Sequence, residues 1–179
     1  MPDPEVTVGR LLLLEYEGIK EEQRGRIGFR DNLLYTTLAA MAGVIVAVLQ
    51  ARGQPGLLLL LPPVSVVLGW TYLVNDEKVS AIGQYIRTDL GPRLATLAGD
   101  DTAVFGWETA HRSDTRRISR KALQLAADLA LFCGAPLVAV VVYWLAGRTS
   151  PLLLGISAVE VVVLVLLALQ IVLYADLKQ

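Results

Sequence analysis

Residues 32–51 read NLLYTTLAAMAGVIVAVLQA, a stretch that contains no charged side chain. At a rise of about 1.5 Å per residue, a helix of about 20 residues crosses the hydrocarbon core of a bilayer, which is about 30 Å thick. The whole chain agrees with this, because 54% of its 179 residues are hydrophobic and only 18% are charged, whereas about a quarter are charged in soluble domains. The stretch therefore predicts the first span of a multi-pass membrane protein.

One side of this first span is made of small residues. Ala39, Gly43 and Ala47 recur every four residues, which places them on one face of a helix. Small side chains let the backbones of two membrane helices approach closely. We therefore expect this face to pack against another helix.

Three further apolar stretches follow the first. The second covers residues 57–74 and carries Pro62 and Pro63 near its start. Prolines are tolerated at the beginning of a helix, where the first amides have no partner inside the helix, so we expect regular helix to begin after them. The third and fourth stretches cover residues 122–146 and 152–175, and each is long enough to span a bilayer.

Two short polar turns join the four stretches in pairs. Residues 52–56 connect the first span to the second, and residues 147–151 connect the third to the fourth. The sequence thus predicts two transmembrane hairpins, residues 32–74 and residues 122–175. The fold class that we expect is all-α, a polytopic membrane protein with four transmembrane helices.

The remaining segments are polar. Residues 1–31 predict an N-terminal cytosolic helix, residues 75–121 a helical cytosolic block, and residues 176–179 a cytosolic stub. Within the block, residues 76–88 have the spacing of an amphipathic helix, and we expect Gly91-Pro92 to end it.

The orientation of the protein follows from its basic residues. Of the 16 Lys and Arg side chains, all except Arg52 and Arg148 lie outside the two short turns and the spans. The positive-inside rule places the more basic segments in the cytoplasm. We therefore expect both termini and the block 75–121 to be cytoplasmic, with the protein in the inner cell membrane.

A cluster of basic residues directly precedes the third span. It could fix the topology and attract anionic lipid headgroups, it could contact the acidic N-terminal helix, or it could bind a phosphate-bearing nucleotide signal or a partner protein. These interpretations stay open, because spacing does not separate one phosphate from another. The cluster comprises Arg112, Arg116, Arg117, Arg120 and Lys121.

Two carboxylates lie inside predicted spans. Glu160 lies in the fourth span and Asp128 in the third. A carboxylate within the bilayer costs a few kcal/mol unless it faces a partner or water, so it marks a functional site by default. We predict that both residues belong to a pore or ion pathway. The alternatives are a hydrogen bond from Glu160 to a neighbour such as Ser157, and pairing of Asp128 with basic residues at the membrane surface such as Arg120.

The sequence offers no catalytic or metal-binding pattern. The chain has one histidine, His111, and one cysteine, Cys133, which are too few for a zinc site built from His and Cys ligands. Nucleotide-binding and hydrolase motifs such as GxGxxG and GxSxG are also missing from the sequence. We expect a protein that is not an enzyme and uses no cofactor.

A cytosolic N-terminal helix, four spans and a basic cytosolic block together resemble the small membrane effectors of bacterial anti-phage defence systems, including those of Hailong type. The resemblance implies a pore that opens when a cytosolic nucleotide or nucleic-acid signal binds. Four spans rarely enclose a water-filled path, so we expect a homo-oligomer in the lipid bilayer. The alternatives are a non-conducting scaffold or regulatory subunit that docks a cytosolic partner, and a small transporter.

Overall fold

The secondary structure is helical throughout the part of the chain that the structure, a computed structural model, describes: residues 7–51, 54–99, 117–147 and 150–175. The helical elements in chain order are α1 Val8–Gln50, a 3-10 helix Pro55–Leu60, α2 Leu61–Tyr85, a first π turn Ile86–Leu90, α3 Gly91–Ala98, α4 Arg117–Leu129, a second π turn Ala130–Gly134, α5 Ala135–Leu145 and α6 Pro151–Tyr174.

The described residues contain four helices that are long and apolar enough to cross a membrane. They are Val8–Gln50, Pro55–Ala98, Ser119–Leu145 and Pro151–Tyr174. For the described residues, the prediction of an all-helical fold with four potential spans is therefore confirmed. The molecule has the architecture of a multi-pass membrane protein.

Helix α1 is longer than the first predicted span. The sequence predicted a separate N-terminal helix before residue 32, whereas the structure has one helix from Val8 to Gln50. Gly18, Gly25 and Gly28 lie inside it, and each costs up to about 1 kcal/mol relative to alanine. Leu12, Tyr16 and Ile19 of the same helix pack in an apolar cluster of the first unit.

Gly91-Pro92 does not end the helix that follows the second span, so that prediction was wrong. The first π turn precedes Pro92, and the amide of Gly91 donates to the carbonyl of Ile86, five residues back. A proline lacks an N–H and its ring clashes with the carbonyl four residues back, which is that of Thr88 here. The wider π turn relieves both problems, and the chain continues directly into α3.

The prolines of the second span also lie inside the helix and not before it. A 3-10 helix covers Pro55–Leu60, and α2 begins at Leu61, directly before Pro62 and Pro63. The two prolines therefore occupy the first turn of α2, where an α-helix leaves its amides without partners. The expectation that the helix begins after them was wrong by a few residues.

The chain forms two compact units, and the first comprises Met1–Arg30 and Asn75–Arg117. In its described part, the core is a small apolar cluster formed by Leu12, Ile86, Leu90 and Leu94. Ile86 and Leu90 are fully buried, and both belong to the first π turn. The π turn therefore also supplies the centre of this core.

Polar contacts run along the same helix pair of the first unit. The amide of Asn75 donates to the carbonyl of Arg26 over 2.8 Å, and the guanidinium of Arg30 pairs with Asp76 at 2.9 Å. At the other end, the Tyr85 hydroxyl donates to Glu15 over 2.7 Å. This hydrogen bond to a carboxylate raises the pKa of Tyr85 to about 12. The order of these pairs shows that residues 15–30 of α1 and residues 75–85 of α2 are antiparallel.

The second unit comprises Asp31–Val74 and Ile118–Gln179. Its largest apolar cluster joins α1, α2, the second π turn and α6, and the buried members are Leu33, Tyr72, Leu73, Phe132, Leu167 and Ile171. Gly69 of α2 lies in the middle of this cluster. A Cβ atom at Gly69 would stand 3.0 Å from side-chain atoms of both Phe132 and Leu167, so these segments approach more closely than alanine would allow.

Candidate functional site

A polar cluster lies inside the second unit, around Tyr72. Its hydroxyl group donates to the carboxylate of Asp128 over 3.4 Å and accepts a hydrogen bond from the side-chain amide of Gln124 over 3.3 Å. Gln124 and Asp128 are four residues apart on α4, so they project from one face of that helix. Tyr72 is only 4% exposed. The cluster is therefore a polar contact between two predicted spans, with Tyr72 buried, Asp128 partly buried and Gln124 exposed.

The second π turn forms one wall of this cluster. Phe132, in the middle of the turn, is fully buried, and its ring centroid is 5.1 Å from that of Tyr72. The amide of Ala135 donates to the carbonyl of Ala130, five residues back, and Pro136 follows directly. As at Pro92, the wide turn accommodates a proline without breaking the helix. Phe132 then holds the Tyr72 ring beside Asp128.

Glu160 lies on α6 in a different environment. Its side chain is partly buried, and its Oε2 atom is inaccessible and accepts no hydrogen bond from the described residues. Ser157, which the alternative interpretation offered as a partner for Glu160, accepts from the indole of Trp144 over 2.9 Å and donates to the carbonyl of Leu154. The described part of the chain therefore leaves one carboxyl oxygen of Glu160 unsatisfied within an apolar helix.

The two predicted pathway carboxylates thus differ in kind. Asp128 has a protein partner in Tyr72, and this partner was not predicted. The alternative for Asp128, pairing with basic residues at the surface, stays untested. The carboxyl oxygen of Glu160 has no such partner among the described residues, which is the situation in which water or another subunit could supply one.

The basic cluster is described only in part. Arg112 and Arg116 lie outside the described residues, and Arg117 begins α4. Arg120 is exposed, and Lys121 is partly buried on the same helix. Binding of lipid, a nucleotide or a partner by this cluster stays a prediction.

The small face of the first span points away from the other helices that the structure describes. Ala39, Gly43 and Ala47 are exposed, and a Cβ atom added at Gly43 would meet nothing within 4 Å. The opposite side of α1 packs inward instead, with Thr37 and Met41 buried. Close packing on the small face therefore requires a helix from outside the described residues.

Sequence reasoning missed Tyr72 as a site residue, because an aromatic side chain near the end of a span is typical of the membrane interface. Tyr72 is buried, whereas its neighbour Trp70 is 50% exposed. A usable signal existed on the partner helix: Gln124 and Asp128 are polar residues spaced four apart at the start of an apolar run. Such a pair needs a partner inside the protein, and a tyrosine hydroxyl is one of few candidates.

The described residues include no group of three or more His, Cys, Asp or Glu side chains that could hold a metal ion. Comparison with protein-family models, with curated proteins and with solved structures gives no match to this chain. The class of the protein therefore rests on its helices. The described residues have the architecture of a multi-pass α-helical membrane protein, with a polar cluster at Tyr72 and with one carboxyl oxygen of Glu160 that has no hydrogen-bond partner among them.

Proposed function

We propose that the chain is a homo-oligomeric membrane channel, or a pore-forming effector, that is gated through residues 75–121. In this proposal it lies in the inner cell membrane with both termini and the gating block in the cytoplasm. The observation that carries the proposal is the Oε2 atom of Glu160, which is buried and has no hydrogen-bond partner in the described chain.

An unsatisfied carboxyl group within an apolar helix is expensive, and the cost is at least a few kcal/mol. A water-filled path between copies of the chain would hydrate Glu160 and remove most of that cost. A path inside one chain is disfavoured, because four helices rarely enclose one. The carboxyl group therefore supports a pore at an interface between subunits.

The exposed surface of the helices supports the same assembly. In the most apolar 18 residues of α1 and of α6, only 17% are buried, against 39% for the helix Pro55–Ala98 and 28% for Ser119–Leu145. The outer helices α1 and α6 thus keep the most surface for lipid or for another subunit. Glu160 belongs to α6, and the small face around Gly43 belongs to α1.

The test is the conductance of the purified protein in planar bilayers, compared between wild type and Glu160→Gln. We expect the substitution to lower the cation-to-anion permeability ratio by about fivefold, which corresponds to about 1 kcal/mol, the attraction between a cation and a charge at about 4 Å in water. Glu21→Gln is the matched control, because Glu21 is exposed in the first unit and lies outside residues 75–121. Conductance that is indifferent to Glu160→Gln would exclude Glu160 from the pathway.

A second candidate function is a non-conducting scaffold or regulatory subunit. It is favoured by three leucines near the start of α1, Leu11, Leu13 and Leu14, which are each more than half exposed in the first unit. Exposed leucines of this kind suit a protein partner. Absence of conductance in the bilayer, together with copurification of a stoichiometric protein partner that no longer binds the Leu11→Ser and Leu14→Ser variants, would establish the scaffold. Substrate-dependent uptake would instead establish a small transporter.

A further inference from the structure

The second π turn inserts one residue more than a regular α-helix needs. The bond from Ala135 to Ala130 spans five residues instead of four. Each residue of an α-helix turns the chain by about 100° and advances it by about 1.5 Å. Helix α4 is therefore rotated by about 100°, relative to α5, from the position that an unbroken α-helix would give it.

This rotation decides which face of α4 meets Tyr72. Two pairs of side chains on α4 are spaced four residues apart and offset from each other by one residue. The polar pair, Gln124 and Asp128, is hydrogen-bonded to Tyr72. The apolar pair, Leu125 and Leu129, is partly buried and packs beside the same cluster. Either the polar pair or the apolar pair can therefore pack against the core around Tyr72.

Conversion of the π turn to a regular α-helix would exchange the two pairs. With α5 fixed, the loss of the extra residue moves each α4 side chain to the place that the preceding residue now occupies. Leu125 and Leu129 would then face Tyr72. Asp128 would move to the present place of Ala127, and Gln124 to that of Leu123, and both of these places are exposed.

We propose that α4 has two registers and that the second π turn is the hinge between them. In the π register Tyr72 holds Asp128 inside the protein. In the α register Leu125 and Leu129 face Tyr72 and Asp128 turns outward, whereas Gln124 is exposed in both registers. The assignment of the π register to a closed channel rests on the proposed function, whereas the existence of two registers does not.

Two neighbouring features favour the π register in the structure, and a third limits its stability. Pro136 cannot donate to the carbonyl of Phe132, which lies four residues back, so a regular α-helix is disfavoured there. Phe132 is fully buried and contacts Gly69 and Tyr72. The hydrogen bonds of Tyr72 are long, at 3.3 and 3.4 Å, and a long hydrogen bond is weak. The π register is thus favoured without being fixed.

Crosslinking of cysteine pairs in membranes with a short bifunctional thiol reagent, which spans the space that the Tyr72 ring fills, tests the two registers. In a Cys133→Ala background, Tyr72→Cys is combined either with Asp128→Cys or with Leu129→Cys. The first pair reports the π register, and the second reports the α register. Both pairs remove the Tyr72 hydroxyl group, and each pair is compared with the same pair in a second chain.

Deletion of Ala130 provides the matched control. It removes the extra residue, which allows a regular helix while Asp128 stays opposite Tyr72. We expect the deletion to lower the ratio of 72–129 to 72–128 crosslinks by about tenfold, the change expected when a second state populated at about 10% is lost. Pro136→Ala, which restores an amide to the helix, should raise the ratio.

Equal ratios in the full-length, deleted and Pro136→Ala chains would overturn the two registers. Measurement of conductance tests the channel function separately from the two registers of α4. If the ratios change as expected but no variant conducts, the registers stand and the channel is excluded. In a conducting protein, Tyr72→Phe should raise open probability in the full-length chain and leave it unchanged when Ala130 is deleted.

Discussion

Single residues set the closest approaches in this molecule, and Gly69 is the clearest case. It lies where α2 meets the second π turn and α6, with two side chains 3.0 Å from the position of a Cβ atom. Real Cβ atoms rarely have neighbours that close, so even one methyl group must displace Phe132 or Leu167. The stability of the second unit therefore depends on the absence of a side chain.

We expect Gly69→Ala to lower the stability of the protein by about 1–3 kcal/mol, the usual cost of overpacking a core. The measurement is unfolding in detergent, followed by circular dichroism. Gly155→Ala on α6 is the control, because nothing lies within 4 Å of a Cβ atom there. A helical glycine replaced by alanine without a clash gains up to about 1 kcal/mol. Equal stability of the two variants would show that the close approach carries no constraint.

At the scale of elements, the apolar runs were sufficient to predict four spans, because a bilayer demands a fixed length of apolar helix. The same local signals failed at Gly91-Pro92, where a helix continues through a residue pair that usually ends one. Local sequence does not show that a π turn can accommodate a proline. The Tyr72 cluster also escaped prediction, because its hydrogen bonds join residues more than 50 positions apart.

The outer face of α1 allows a prediction about assembly. We expect Gly43→Phe to raise the dissociation constant of the oligomer by about tenfold or more, equivalent to about 1.4 kcal/mol, because a bulky ring blocks close approach of a second copy. Chemical crosslinking in membranes measures this. Ile45→Phe is the control, since Ile45 is half exposed and lies on another side of the helix. A monomeric wild type, or equal effects of both variants, would contradict assembly through this face.

At the scale of the whole molecule, the distribution of basic residues predicts the orientation. Only Arg52 and Arg148 lie in the two short turns between helices. The described residues contain four potential spans, and four crossings would place the two ends of that part of the chain on the same side. The choice of that side depends on charge alone, because the same set of helices fits a bilayer in either direction.

We expect Gln54→Cys and Arg148→Cys, each in a Cys133→Ala background, to react with a membrane-impermeant maleimide added outside intact cells. Leu97→Cys, which replaces an exposed residue of the predicted cytosolic block, should react only after the membrane is opened. The two turns lie on the side that the positive-inside rule assigns to the exterior. Labelling of Leu97→Cys in intact cells would show that the orientation is the opposite of the predicted one.

The second π turn also links the number of residues in this part of the chain to the number of registers that α4 can adopt. A homologue with one residue fewer between Asp128 and Pro136 could form an unbroken helix there and would have only one register. A homologue of equal length could keep the choice between two, whatever residues fill the turn. A single-residue gap in an alignment, more than any substitution, would then mark the lineages in which this helix no longer switches.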